Sequence, residues 1–307
     1  MKKKSINDAE PNLFLTAECN QNCIFCSAKG EDRSMTKKEL SACLALGYKS
    51  LAFEGGEPLM SKDLIYWTER AKKSGADEII LLTNGLLLTE NKLKLLIQKG
   101  ITKFEFNLPS HIVKLHDTLT GSKKQFPKRI RAIKRTLKYI KDGVIITFVL
   151  NALNYKTLPA YINFIAKEFP GTFFIALNFI KIKGLVKKRK YLVPKLSETK
   201  FYILKALEKA KKMHMPIILD GFPLCVLDGY EEYSRDIDRI IKSDKSYLGE
   251  KKHIKKCLKC SLKDICAGPR KDYLNLFGDK EISASSKKIA PIINKVKKGQ
   301  LRLNIKA

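Results

Sequence analysis

The sequence has few arginines, and several common motifs are absent from it. Of its 60 basic residues only ten are arginines, in a chain with a formal net charge of +29. Arginine is the side chain best suited to bidentate recognition of phosphates and bases. Because arginine is scarce, we attribute the positive charge to a generally lysine-rich composition and keep RNA binding as the minority interpretation. The chain has no Walker loop, no GxGxxG motif and no internal repeat. Nothing therefore indicates a P-loop, a dinucleotide fold or a repeat protein.

Long apolar stretches are also missing. No run approaches the ~18 apolar residues that a membrane-spanning helix needs. The opening Met-Lys-Lys-Lys is not followed by an apolar segment, so no signal peptide is expected. We therefore expect a cytoplasmic protein in which thiols stay reduced. With 307 residues, 44% of them hydrophobic, the chain has room for one large domain, or for a domain with an appendage.

Cysteines carry the clearest chemical signal. Cys19, Cys23 and Cys26 are separated by three and then two residues, a spacing that indicates a metal or iron–sulfur site. Iron–sulfur clusters are normally held by four cysteines. Three would leave one iron with an open position, where a small molecule can bind. The triad by itself leaves a structural zinc knuckle, or three unrelated thiols, as the alternative.

The triad, with Phe25 directly before its last cysteine, resembles the cluster loop of the radical S-adenosylmethionine (SAM) enzymes. In that family the open iron of a [4Fe–4S] cluster chelates SAM. Electron transfer then cleaves the sulfonium, and the resulting 5′-deoxyadenosyl radical takes a hydrogen atom from the substrate. The resemblance implies that the ring or backbone of Phe25 contacts adenine. It also implies a reducing partner such as flavodoxin or ferredoxin.

A second motif follows a predicted strand at 50–54. Gly55, Gly56, Glu57 and Pro58 match the GGEP motif of that family, and two glycines after a strand allow close approach of a backbone to a ligand. The resemblance implies that the two glycines and Glu57 hold the methionyl end of SAM. At the end of the fourth predicted strand it implies a polar contact to the SAM ribose. Asn107 and Ser110 are both candidates, and the sequence does not separate them.

His116 and the segment 126–141 both have a structural interpretation. We interpret His116, in a predicted His-Asp…Thr-Gly turn, as a turn-stabilising group rather than a catalytic base. The segment 126–141 is predicted to be a basic amphipathic helix. Its apolar face is predicted to contain Ile130, Ile133, Leu137 and Ile140, with the basic residues on a solvated outer face.

The predicted elements alternate between strand and helix six times, which indicates a parallel α/β sheet with crossover helices. The resemblance implies a partial (β/α)6 TIM-like barrel with its active site at the carboxyl ends of the strands. We predict the barrel at 11–215, a cysteine-rich extension at 216–275, and a basic tail at 276–307 that either docks as a helix or stays mobile.

The predicted extension carries a second set of cysteines, Cys225, Cys257, Cys260 and Cys266. The last three, followed by a glycine, resemble part of the SPASM or twitch extension that binds auxiliary [4Fe–4S] clusters in one branch of the family. The full pattern continues with another cysteine where this chain has Arg270. We therefore expect one auxiliary cluster in a shortened extension. Two alternatives stay open: a structural zinc site, or a three-cysteine cluster that leaves Cys225 free as a hydrogen donor.

Substrate identity rests on analogy alone. The resemblance to the auxiliary-cluster branch implies modification of a peptide or protein side chain. Modification of RNA, a nucleotide or another small molecule is the alternative within the same chemistry. A zinc-stabilised binding protein without catalytic activity is the alternative outside it.

Overall fold

The computed structural model describes residues 11–31, 33–244 and 249–303, with side chains up to residue 298. Residues 1–10, on which the signal-peptide interpretation rests, lie outside the described part, as does the end of the predicted basic tail. Among the described residues, no helix is both long enough and apolar enough to cross a membrane.

Seven parallel strands follow one another in chain order in one sheet, with β1 and β7 as its edges in the described part. The α/β fold class with an open parallel sheet is therefore confirmed. The sheet has one strand more than the six predicted units, because the first strand of the predicted extension pairs in parallel with its predecessor. The strands are β1 Asn12–Thr16, β2 Ser50–Gly55, β3 Glu78–Thr83, β4 Lys103–Asn107, β5 Val144–Leu150, β6 Phe174–Phe179 and β7 Ile217–Asp220.

Helices separate each strand from the next, and three more follow β7. In the described residues they are α1 Lys37–Leu44, α2 Leu64–Lys73, α3 Glu90–Lys99, α4 Val113–Thr120, α5 Phe126–Tyr139, α6 Leu158–Glu168, α7 Leu196–Lys212, α8 Arg235–Ile241, α9 Lys271–Phe277 and α10 Ile289–Leu303. Local sequence fixes several of the ends. Thr36 forms a capping box with Glu39 at the start of α1, and Gly100 ends α3 with a φ of 127°.

The described chain divides into two compact units. The first contains residues up to Thr147, together with 167–173 and 183–189. It holds β1 to β4, the start of β5 and the first cysteine triad, and its core includes the fully buried Phe53, Leu81, Phe104 and Phe106. The second contains 148–166, 174–182 and the residues from 190 onward, with β6, β7 and the second cysteine set. The predicted boundaries at 215 and 275 stay predictions.

Candidate active site and second cysteine site

The three cysteines of the first triad lie after β1 and line one cavity. Its volume is about 390 Å³, and Cys19, Cys23, Cys26, Gly55 and Gly56 all contribute to its wall. That volume is in the range of small-molecule pockets, about 300–1,000 Å³. The cysteines and the two glycines predicted from the sequence therefore meet at one place, where the carboxyl ends of β1 and β2 adjoin.

The two glycines are needed because two backbones touch here. We call residues 17–30 the cluster loop. Gly56 donates its N–H to the Thr16 carbonyl at 2.7 Å, and Glu57 donates to the Glu18 carbonyl at 2.7 Å. A Cβ atom on Gly56 would lie 2.0 Å from the Glu18 oxygen, and one on Gly55 would lie 2.3 Å from the Thr16 oxygen. Only glycine permits this approach, which fixes the cluster loop against the end of β2.

The Glu57 carboxylate points into the protein. It accepts hydrogen bonds from Leu59 N at 3.1 Å, Thr83 Oγ1 at 2.7 Å and Asn84 N at 2.7 Å. Burial raises the pKa of Glu57, against the opposing effect of these hydrogen bonds. The side chain thus ties the end of β2 to the end of β3. Within this motif it is the glycine backbone, and not the carboxylate, that faces the cavity.

The thiols of the triad have the environment of anionic ligands. Cys19 Sγ accepts the Gln21 N–H at 3.4 Å, and Cys26 Sγ accepts the Lys29 N–H at 3.3 Å. Without a metal, burial raises the pKa of Cys19 and raises that of Cys23 to about 12. Metal binding would deprotonate these thiols, and the N–H donors would then stabilise the thiolates.

The number of cysteines in the triad fits a cluster with an open position. Each cysteine of an iron–sulfur cluster binds a different iron, so three cysteines leave one of four irons without a protein ligand. The three cysteines around one cavity therefore fit the [4Fe–4S] cluster with an open position.

A helix that we predicted as a turn also holds the cluster loop. In α4, the carbonyls of Thr120 and Leu119 accept N–H groups from Asn22 at 3.2 Å and Ile24 at 2.9 Å. Gly121 ends the helix with a φ of 60°, and a Cβ atom there would lie 2.4 Å from the Asn22 oxygen. The turn prediction was wrong because this short helix is stabilised by contacts with a segment a hundred residues earlier, which local sequence does not reveal.

Sequence reasoning missed one functional residue, Arg129 of α5. Its guanidinium is 1% exposed. It donates from Nε to the Asn84 carbonyl at 2.9 Å and from Nη2 to Gln21 Oε1 at 2.5 Å, and its Nη1 lies 2.9 Å from His116 Nε2. The prediction that the basic residues of α5 lie on a solvated face is therefore wrong for Arg129.

The helical spacing of α5 contains a signal that would have found this residue. Its buried face is formed by Arg129, Ala132, Ile133 and Thr136, which are related by three, four and seven positions. Alanine and threonine are small, so an arginine one turn earlier has room to pass between them and the sheet. The predicted apolar face instead followed the larger side chains, such as Ile130, which is only half-buried.

His116 is fully buried and neutral. Burial, together with the charge of Arg129, lowers its pKa to about 4. Neutral imidazole accepts a hydrogen bond at Nε2 from Arg129 and faces Asp117 Oδ1 with Nδ1 at 3.3 Å. This arrangement agrees with the structural interpretation of His116.

The two ribose candidates differ in their hydrogen bonding. Ser110 Oγ accepts the Ile112 N–H at 2.9 Å and so closes a local turn. Asn107 ends β4, and its buried Oδ1 has no hydrogen-bond partner among the described residues. Phe25 is 5% exposed and is not among the residues that line the cavity, so the contact of its ring or backbone with adenine stays a prediction.

The second unit brings together the four cysteines of the second set. Burial raises the pKa of Cys225, and the neighbouring thiols of Cys257 and Cys260 add to the effect. Burial raises the pKa of Cys266 to about 11, with a smaller contribution from Cys225. The four residues predicted to form a second site are thus neighbours in the structure.

Residues that follow this set in the chain complete its surroundings. Cys266 Sγ accepts the Gly268 N–H at 3.3 Å, and Cys260 Sγ accepts the N–H of Ser285 at 3.3 Å. The last donor comes from beyond the predicted end of the extension. Arg270, where the longer pattern has a cysteine, is 3% exposed and forms an ion pair with Asp272. This position therefore serves packing.

Comparison with known proteins identifies the family. Residues 13–165 match the model of the Radical SAM superfamily. The chain belongs to this superfamily. It is 27% identical over 236 residues to the probable GTP 3',8-cyclase of Methanocaldococcus jannaschii. The matched region covers 74% of this chain and 76% of that protein. It is 30% identical over 161 residues to the probable GTP 3',8-cyclase of Methanopyrus kandleri. That match covers 50% of this chain and 52%, about half, of the relative's length.

Solved structures show the same fold. The radical SAM enzyme resembles Streptococcus suis SuiB bound to S-adenosylmethionine with a TM-score of 0.61 and 16% identity, over 89% of this chain and 74% of that one. At this identity the likeness shows the fold alone. Membership of the superfamily implies a [4Fe–4S] cluster and SAM, and the cavity lined by the triad fits both.

Proposed function

We propose that this radical SAM enzyme cleaves SAM reductively at a cluster held by Cys19, Cys23 and Cys26, and that it removes a hydrogen atom from its substrate. The observation that supports this proposal is the shared cavity, in which three thiols face a glycine backbone at the carboxyl edge of a parallel sheet. The cluster, when bound, supplies the electron for cleavage, and the protein contributes binding, orientation and exclusion of water.

We assign each part of SAM binding to particular residues. The backbone of Gly55 and Gly56 receives the methionyl end of SAM, and the buried Glu57 holds that backbone in place. The Asn107 amide, whose oxygen lacks a protein partner among the described residues, addresses the ribose. The ring or backbone of Phe25 contacts adenine.

We propose that Cys225, Cys257, Cys260 and Cys266 hold an auxiliary [4Fe–4S] cluster. A fourth cysteine leaves no iron open to substrate, which favours a role as acceptor of an electron from the oxidised product radical. Zinc held by the same four thiolates is the alternative, and metal analysis separates the two. The proximity of Cys225 to the other thiols favours a ligand over a free hydrogen donor.

Peptide or protein side chains are the proposed substrates. SuiB, which has this fold, has also been solved with its precursor peptide SuiA, with a TM-score of 0.60 over 91% of this chain. An acceptor cluster suits a reaction that leaves the product oxidised by two electrons, as a modified side chain would be. A genomic neighbour encoding a small peptide would provide the substrate to test, and turnover of that peptide is the expected result.

A nucleotide or other small molecule is the second candidate. It is favoured by the relatives named GTP 3',8-cyclase, three of which match about three quarters of this chain. Incubation of the reduced enzyme with SAM and GTP would separate the candidates, since consumption of GTP contradicts the peptide proposal. An RNA substrate would follow from the +29 charge and predicts steeply salt-dependent binding of tRNA, so salt-insensitive or absent binding removes it.

Metal analysis of anaerobically reconstituted protein tests the cluster assignments. About eight irons are expected in the parent and about four in a Cys19/Cys23/Cys26→Ala triple variant, because each cluster holds four. Only the parent should form 5′-deoxyadenosine with dithionite, or with a flavodoxin or ferredoxin, as reductant. About four irons and one zinc in the parent would contradict the auxiliary cluster, and absence of SAM cleavage would contradict the function.

A further inference from the structure

Arg129 places a fixed positive charge beneath the cluster loop. Its guanidinium is 1% exposed and contacts three separate parts of the first unit: the Gln21 side chain, the Asn84 carbonyl after β3, and His116 of α4. Gln21 lies between two of the triad cysteines. A buried charge is expensive unless it is well bonded, so a cation kept at this position calls for a reason beyond packing.

The charge lies close to the triad. Gln21 Oε1, which accepts the hydrogen bond from Arg129 Nη2 at 2.5 Å, lies 3.9 Å from Cys23 Sγ. The guanidinium is therefore separated from this sulfur by one amide oxygen. Reduction adds one electron to a cluster that already carries thiolates, and the interaction of that electron with a nearby cation is strong where water is excluded. Net charge and hydrogen bonding are known determinants of cluster potential.

We propose that Arg129 raises the reduction potential of the SAM-binding cluster, and that through Gln21 it also fixes the cluster loop. This inference rests on the proposed function, because it requires the cluster on Cys19, Cys23 and Cys26. In it Arg129 is a positioning residue that acts through the cluster loop and by its charge, without contact to the reacting atoms.

An arginine suits both tasks better than a lysine. The planar guanidinium reaches three acceptors at once, whereas a lysine ammonium is a compact charge on a flexible stem. An Arg129→Lys variant therefore keeps the charge and loses part of the hydrogen-bond fork. An Arg129→Gln variant loses the charge and keeps a polar group.

The test is an EPR-monitored redox titration of the reconstituted holoenzyme in a background that lacks the second cluster (Cys257/Cys260/Cys266→Ala). With Arg129→Gln, we expect at least a tenfold lower equilibrium constant for one-electron reduction, which is a shift of about 59 mV to more negative potential. Arg129→Lys should stay close to the parent in potential, with a lower melting temperature. Arg131→Gln, an exposed neighbour on α5, is the matched control and should change neither.

A second variant covers the case in which Arg129→Gln does not fold. Gln21→Glu keeps the shape of the side chain and its hydrogen bond to Arg129, but neutralises the guanidinium charge, so the potential should shift in the same negative direction. An unchanged potential in this variant or in Arg129→Gln would overturn the inference, as would an equal shift in Arg129→Lys. Failure of the parent to form an EPR-active cluster would instead contradict the proposed function.

Discussion

Gly56 shows how one atom decides whether the site can form. A Cβ atom at this position would lie 2.0 Å from the carbonyl oxygen of Glu18 and 2.6 Å from that of Ala17, and a backbone cannot yield as a flexible side chain does. For Gly56→Ala we expect a loss of about 1–3 kcal/mol in the free energy of unfolding and a cluster loop moved away from β2. Gly249→Ala, which has nothing within 4 Å of the added atom, is the control.

Iron content after reconstitution and urea denaturation would measure the two effects. Gly56→Ala should retain the iron of the second set and lose that of the triad, whereas Gly249→Ala should match the parent. Full iron content with unchanged stability in Gly56→Ala would contradict the backbone contact.

His116 makes stability depend on pH. Its pKa falls from 6.5 to about 4 on folding, through burial and the charge of Arg129, against the opposing effect of Asp117. Between those values the unfolded chain binds more protons than the folded one, so stability is complete above pH 6.5 and is lost as the pH falls toward 4. The loss should reach about 2–3 kcal/mol at pH 4.5, since each pKa unit corresponds to about 1.4 kcal/mol.

Urea denaturation of the apoprotein at pH 4.5 to 7.5 would test this slope. In His116→Gln the free energy of unfolding should fall less between pH 7.5 and 4.5 than in the parent. In His214→Gln, which alters an exposed histidine, it should fall as much as in the parent. An NMR titration that places the His116 pKa above 6 would contradict the prediction directly.

At the scale of the element, a segment after β6 clamps the cluster loop from its outer side. We call residues 183–189 the strap. Within the first unit, Leu185 donates its N–H to the Cys26 carbonyl at 3.0 Å, and Arg189 Nη1 donates to the Ile24 carbonyl at 3.1 Å. Glu31 forms an ion pair with Lys187, and this contact lowers the pKa of Glu31. The strap thus holds the loop by hydrogen bonds at its last cysteine and two residues before it.

Removing one strap contact should loosen the cluster without removing a ligand. For Arg189→Ala we expect loss of cluster iron to a chelator several-fold faster than in the parent, because the Ile24 carbonyl loses its charged donor. Lys188→Ala, which removes an exposed side chain of the same strap, should leave the rate unchanged. The absorbance of the released iron chelate gives both rates, and equal rates would show that the strap does not protect the cluster.

At the scale of the whole molecule, the two cysteine sets belong to two compact units and should lose their metals independently. Cys225→Ser should lower the iron content or alter the EPR spectrum of the second cluster, while reductive SAM cleavage by the first site continues. Cys43→Ser on α1 is the control, because this cysteine belongs to neither set. An unchanged second cluster in Cys225→Ser, combined with loss of product formation, would instead indicate a hydrogen donor.

The sequence by itself determined what depends on local chemistry. The cysteine spacing, the Gly-Gly-Glu-Pro turn and the alternation of strands and helices are recorded within short windows, so the family, the sheet and the positions of its first strands followed from them. The start of α1 and the end of α3 at Gly100 are also local, because capping involves neighbours in the chain, although the sequence left Ser34 and Thr36 both open as the cap and the structure shows Thr36.

Tertiary structure decided what depends on residues distant in the chain. That Glu57 faces inward depends on donors from β3, and that α4 is helical depends on the cluster loop. The burial of Arg129 depends on acceptors 13, 45 and 108 positions away. The helical spacing indicates which face of α5 is buried, but it does not reveal the partners of Arg129, because the groups that compensate the desolvation of its charge are assembled only when the sheet and its helices pack together.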